Sequence, residues 1–91
     1  MKKALFQLGA VVMTPAARDL MKELGLDPVH WLARHVTGDW GDLDEHDKQA
    51  NNNAVLQGYR ILSAYGTGKN KLWIITEWDR SVTTILLPAE Y

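Results

Sequence analysis

The residues with chemical potential fall into two groups. The first is a run of acids. Asp39, Asp42, Asp44, Glu45 and Asp47 lie within residues 39–47, which hold no Lys or Arg, and His35 and His46 stand beside and within the run. Carboxylate oxygens suit calcium, magnesium or manganese, and imidazoles shift the preference toward zinc or nickel. His35, Asp39, Asp42, Asp44 and His46 are therefore candidate cation ligands. The spacing lacks the glycine and distal glutamate of a calcium loop, and acids of this kind also serve a helix start, where they meet the positive end of the helix dipole. Nothing in the spacing calls for a cofactor.

The second group is scattered. His35 changes charge near neutral pH and could move a proton. Joined by Arg60, Thr76, Arg80, Ser81 and Thr84, it would make a metal-free ribonuclease site in which arginine steadies a phosphate. A histidine in the last turn of a helix is equally well explained by the dipole there. Trp40 lies in Gly38-Asp39-Trp40-Gly41-Asp42, where two glycines free the backbone. It reads either as a plug on the core or as an exposed anchor for a basic partner, with Asp39, Asp42 and the Arg80 hairpin tip around it.

The elements that must position these residues are legible from period and punctuation. Residues 5–13 read as a strand, with Gly9 marking a bulge or a close backbone approach. Thr14-Pro15 and Asp27-Pro28 are helix starts, and Gly25 and Gly38 are stops. The first helix carries Ala17, Leu20, Met21 and Leu24 on one face; the second carries Val29, Leu32, Ala33 and Val36. A third helix begins with Asp42 or Asp44 as cap and runs to Gly58. Its Asn51-Asn52-Asn53 segment is a poor helix former and reads as solvent-facing. Residues 59–65, 72–78 and 82–87 then follow the two-residue period of strands. A turn at Asp79-Arg80 sets Thr76 against Thr83, Ile74 against Ile85 and Trp73 against Leu86. The fold class is α+β: three short helices packed on one face of a small antiparallel sheet, made of the N-terminal strand and a C-terminal three-stranded meander.

Two blocks carry a resemblance. One runs Arg34-His35, Gly38-Asp39-Trp40-Gly41-Asp42-Leu43 and Asp47-Lys48-Gln49-Ala50-Asn51. The other runs Trp73-Ile74-Ile75-Thr76-Glu77, Asp79-Arg80-Ser81, Thr83-Thr84-Ile85-Leu86-Leu87-Pro88 and Tyr91. With Thr14-Pro15-Ala16, they resemble a family of small uncharacterised bacterial proteins carried on plasmids, integrative elements and phage-like islands. The resemblance implies a plasmid-related accessory protein. Some relatives are labelled as a type I restriction subunit, but a methyltransferase subunit needs a Gly-rich strand–helix turn for its cofactor, and this chain has none. The layout is also similar to small ribonuclease toxins of the barnase, colicin and RelE type, a likeness of arrangement that carries no function.

Composition narrows the class. The 91 residues make one domain, 1–91, with no cysteine for disulfides or thiolate ligands. A core of this size is modest, so self-association would add stability. Ten basic against eleven acidic residues disfavour nucleic acid as a general partner. No run of ~18 apolar residues could span a membrane. The Met-Lys-Lys-Ala-Leu-Phe start is interrupted by Gln7 with no small-residue cleavage site after it, giving a chain that begins at Met1 in the cytoplasm. The expectation is a non-enzymatic module that binds another protein, with the ribonuclease and the divalent-metal module as alternatives.

Overall fold

The computed structural model describes residues 3–91; the reading that the chain begins at Met1 lies outside them. The order of elements is β1 (Ala10–Met13), α1 (Pro15–Leu24), α2 (Pro28–Val36), α3 (Glu45–Gln57), β2 (Ile61–Tyr65), β3 (Leu72–Thr76) and β4 (Val82–Leu86). The fold is α+β. Among the described residues no helix is long and apolar enough to cross a membrane.

Each helix starts where its cap says it should. Thr14 Oγ1 accepts from the Ala17 amide at 3.1 Å, and Asp27 Oδ1 from Val29 at 2.9 Å. Asp44 Oδ1 accepts from Asp47 at 2.8 Å. Each side chain thus satisfies an amide that the first turn leaves free. Gly25 and Gly58 close α1 and α3 with φ of 67° and 78°.

The sheet order is β1-β4-β3-β2. The meander is antiparallel and its register is the expected one, with Trp73 opposite Leu86, Ile74 opposite Ile85 and Thr76 opposite Thr83. The N-terminal strand instead joins β4 in parallel, so the sheet is mixed. It is also shorter than residues 5–13. Gly9 turns the chain at φ 66°, and a Cβ there would lie 2.3 Å from the Ser81 carbonyl oxygen, so the close approach expected of this glycine is real. The residues before it leave the sheet: the Leu5 amide donates to the Val36 carbonyl, and Phe6 packs beside Trp40, Ala54 and Ile61.

Two other boundaries move for local reasons. The Tyr59 amide still donates to Ala54, so residue 59 belongs to the end of α3 and β2 begins at Ile61. The β3–β4 ladder closes where Glu77 N–H meets Val82 O, leaving residues 78–81 as the loop rather than a two-residue turn. Lengthening the loop evenly on both sides keeps the register.

Because strand side chains alternate, Ile61, Ser63, Tyr65, Leu72, Ile74, Thr76, Thr83 and Ile85 share one face. On that face Tyr65, Leu72, Ile74 and Ile85 meet Ala17 and Met21 of α1, with Trp31 and Leu32 of α2 packed against them. Burial of side chains this size stabilises by about 1.5–3 kcal/mol each. The inward face of α2 differs from the expected stripe. Trp31, Leu32 and His35 point in, whereas Val29 is 68% exposed. A histidine can replace an apolar residue there because the sheet supplies partners for both ring nitrogens.

Candidate functional site

His35 is fully enclosed. Its Nδ1 lies 2.6 Å from Ser63 Oγ and its Nε2 lies 2.9 Å from Thr76 Oγ1. Thr76 Oγ1 lies 2.7 Å from Thr83 Oγ1, and Thr83 Oγ1 donates to the Leu8 carbonyl at 2.7 Å. These contacts fix every proton. A carbonyl can only accept, so the Thr83 hydrogen goes to Leu8. Thr76 must therefore donate to Thr83, and its oxygen must accept from His35 Nε2–H. That leaves Nδ1 bare, accepting from Ser63. The ring is the neutral Nε2–H tautomer, and burial pulls its pKa down from 6.5 to about 3. Phe6 and Trp40 wall it in, with ring centroids 5.2 and 6.1 Å from the imidazole.

This geometry corrects the ribonuclease assignment. His35, Thr76 and Thr83 form a sealed chain through the core, out of reach of a phosphodiester. Thr84 stands on the opposite sheet face, beside Ile75. Arg60 is exposed and stacks on Tyr91 at 5.2 Å. Ser81 binds Asp79 Oδ1 through both its amide and its hydroxyl, which holds the Asp79 carboxyl below its ordinary range. The six candidates do not converge.

Trp40 is 4% exposed and is the plug, not the anchor. Its indole Nε1–H donates to Asn52 Oδ1 at 2.9 Å. The surrounding segment ties the sheet edge: Ala64 N–H donates to Trp40 O, Asp42 N–H to Ala64 O, and Gly66 N–H to Asp42 Oδ2. Gly41 must be glycine, because a Cβ there would sit 2.0 Å from the Ala64 carbonyl oxygen. Asp39 is committed as well. Its carboxylate takes Arg34 Nε at 2.7 Å and Nη2 at 3.3 Å, and its carbonyl accepts from Tyr65 Oη at 2.6 Å. The Arg34 guanidinium lies over the Tyr65 ring at 4.5 Å, and its pKa is raised by the bond to Asp39. Burial pushes the Tyr65 phenol up to about 12, so it stays a donor.

Arg80 is likewise internal to the fold. It adopts φ 59°, unusual for a residue with a side chain. Its Nη1 donates to the Tyr59 and Glu77 carbonyls at 2.6 and 3.1 Å, and its Nη2 donates to Ala54 at 2.9 Å. The guanidinium thus caps the end of α3 and bolts it to the hairpin.

Sequence reasoning missed the asparagines. Asn51 is 6% exposed, not solvent-facing: its Nδ2 donates to Leu62 O at 2.6 Å, and its Oδ1 accepts from Leu62 N–H at 3.2 Å. One amide side chain thus takes the place of a strand along the outer edge of β2. Three weak helix formers in succession were the available signal, since a residue costly to a helix stays there when its side chain is needed elsewhere.

The expected cation set separates too. His35 is sealed, while Asp39 and Asp42 are tied to Arg34 and Gly66. Ligand atoms of Asp44, His46 and Asp47 come within 4.8 Å of one another, all exposed, and Asp44 is occupied as the cap of α3.

Beside these acids lies an open groove of about 290 Å³, lined by Leu43, Asp47, Ala50, Asn51, Leu62 and Trp73. Leu62 and Trp73 come from the sheet face opposite the main core, and Asp47, Ala50 and Asn51 from α3. Asp44, Glu45 and Asp47 are exposed near its α3 end; Lys48 approaches Glu45 at 3.9 Å. The groove can take an apolar side chain against Trp73 and a cation beside Asp47. No family model, curated protein or solved structure matches this chain.

Proposed function

We propose that this protein is a non-enzymatic accessory module of a mobile element that binds a basic, apolar-anchored segment of another protein. The mobile-element part rests on the resemblance carried by the blocks at 34–51 and 73–91. The observation that carries the binding part is the groove, with an apolar floor of Leu43, Ala50, Leu62 and Trp73 and an exposed carboxylate, Asp47, at its side. Aromatic anchors and desolvated apolar pockets supply most of the energy of protein interfaces, while rim charges steer the encounter. The acidic, tryptophan-bearing surface expected from sequence is thereby moved: Trp73 replaces Trp40, and Arg80 drops out of it.

The test is binding of short synthetic peptides that pair Lys or Arg with Leu or Phe, followed by tryptophan fluorescence and calorimetry. Basic apolar peptides should bind, more weakly as salt rises, whereas acidic ones should not. Asp47→Asn removes the groove's carboxylate and Ala50→Lys sets a cation in it. Each changes an exposed position and should weaken binding at least about tenfold, or 1.4 kcal/mol, while urea unfolding stays a single cooperative transition. Peptide binding that ignores both substitutions would refute the groove. RNA cleavage by the purified protein would refute the non-enzymatic reading.

A further inference from the structure

The two edges of the sheet are finished differently. Along β2, the outward backbone is occupied by Asn51 on Leu62 and by residues 40–42 on Ala64. Along β1 the pattern is open. The Ala10 and Thr14 amides donate to Ser81 and Ile85 of the β4 side, so the even-numbered backbone groups face β4. Successive amides of a strand alternate, so the N–H and C=O of Val11 and Met13 point away from the sheet. Among the described residues, β4 is the only strand paired with β1.

Natural edge strands are guarded by charge, proline or a covering element. Leu8-Gly9-Ala10-Val11-Val12-Met13 has neither charge nor proline. Val11 and Val12 are 46% and 47% exposed.

We infer that β1 is a self-pairing edge whose occupant is the β1 strand of a second copy of this chain, in antiparallel register. Self-complementarity selects that occupant. With the two-fold axis at Val12, Val11 of each copy lies opposite Met13 of the other. Each such pair exchanges both N–H···O=C bonds, so no outward group of the strand is left over. The two Val12 residues then form the close, non-hydrogen-bonded pair, with apolar side chains in contact across the axis. Because the β2 edge is closed by Asn51 and residues 40–42, pairing stops at two copies. The contact is isologous and gives a dimer with one continuous sheet rather than a fibre.

The test is the solution mass by light scattering and sedimentation, across low to high micromolar protein, with amide exchange read by NMR. The wild-type chain should double its mass with rising concentration, and the Val11 and Met13 amides should become protected as it does. Val12→Lys puts like charges opposite each other at the axis, and Val11→Pro removes an outward N–H while sparing the ladder to β4. Both should stay at monomer mass with the amide dispersion of a folded protein. Several results would overturn the inference: a wild-type monomer throughout, a dimer indifferent to both substitutions, open-ended growth in mass, or a dimer whose Val11 and Met13 amides still exchange freely.

Discussion

Mild acid should weaken this fold through the His35 side chain. His35 is neutral in the folded protein with a pKa of about 3, against an ordinary value of 6.5. The unfolded chain therefore binds a proton that the folded chain refuses. Stability from this group is complete above about pH 6.5 and is lost as pH falls toward 3, at a limiting slope of about 1.4 kcal/mol per pH unit. By pH 5 the loss is about 2 kcal/mol, and the full window holds about 5 kcal/mol. A domain of this size has only about 5–15 kcal/mol in total, so the effect is large. The cause is burial: an imidazolium would sit without water inside a core sealed by Phe6 and Trp40, beside two hydroxyls that carry no charge to offset it.

Urea unfolding at intervals from about pH 7.5 to pH 5 measures this directly. The control is His35→Gln, whose amide can both donate and accept but cannot titrate. The wild-type chain should lose about 2 kcal/mol across the range, and the variant should stay nearly flat. Long-range nitrogen–proton correlations should show the Nε2–H tautomer of His35, unchanged down to pH 5. A flat wild-type curve, or a slope that survives in His35→Gln, would refute the buried relay as the source.

The remaining expectations concern joints that bear on the same surfaces. Asn51→Ala improves helix propensity yet should destabilise by about 1–3 kcal/mol in urea unfolding, because Leu62 loses both its donor and its acceptor. A neutral or stabilising result would mean that water replaces the clamp. Gly9→Ala and Gly25→Ala share nearly the same φ, 66° and 67°, but a Cβ at Gly9 meets the Ser81 carbonyl and one at Gly25 meets nothing within 4 Å. Gly25→Ala should cost about 1–2 kcal/mol from the left-handed backbone alone, and Gly9→Ala clearly more, as read by melting temperature. Equal losses would show that the close approach at the β1–β4 junction relaxes freely.

Much of the fold was legible because local chemistry and tertiary structure agree. Thr14-Pro15 and Asp27-Pro28 cap and start helices for reasons contained in a few neighbouring residues, and the capping acid of α3 is one of the two expected, Asp44. The Thr76–Thr83 register followed from alternation, which survives an even change in loop length. What was not legible depends on residues far apart in the chain. That β1 runs parallel to β4 is decided by the helices between them and by the meeting of Gly9 with Ser81, seventy-two positions later (81 − 9). The inward face of α2 depended on two hydroxyls in β2 and β3 that make a histidine acceptable in the core.

The candidate site was less legible because a side chain that can do chemistry is also one that can satisfy a buried backbone. Read along the chain, His35, Asp39, Asp42 and Arg80 are reactive groups in search of a substrate. In the fold each has its partner: His35 two hydroxyls, Asp39 a guanidinium, Asp42 the Gly66 amide, and Arg80 three carbonyls. In a domain with a small core and no disulfide, polar joints between elements do work that a larger protein leaves to apolar packing. The groups best placed to meet another molecule are the Asp47 carboxylate, whose neighbour is the exposed His46 ring at 3.6 Å, the groove face of Trp73, which meets Tyr91 edge-on, and the outward backbone of Val11 and Met13. These two surfaces lie at opposite sides of the sheet, one by β2 and one beyond β4. A dimer joined through β1 therefore leaves both grooves open, at its two far ends, and a partner presenting two basic segments could engage both at once and gain avidity from the pairing.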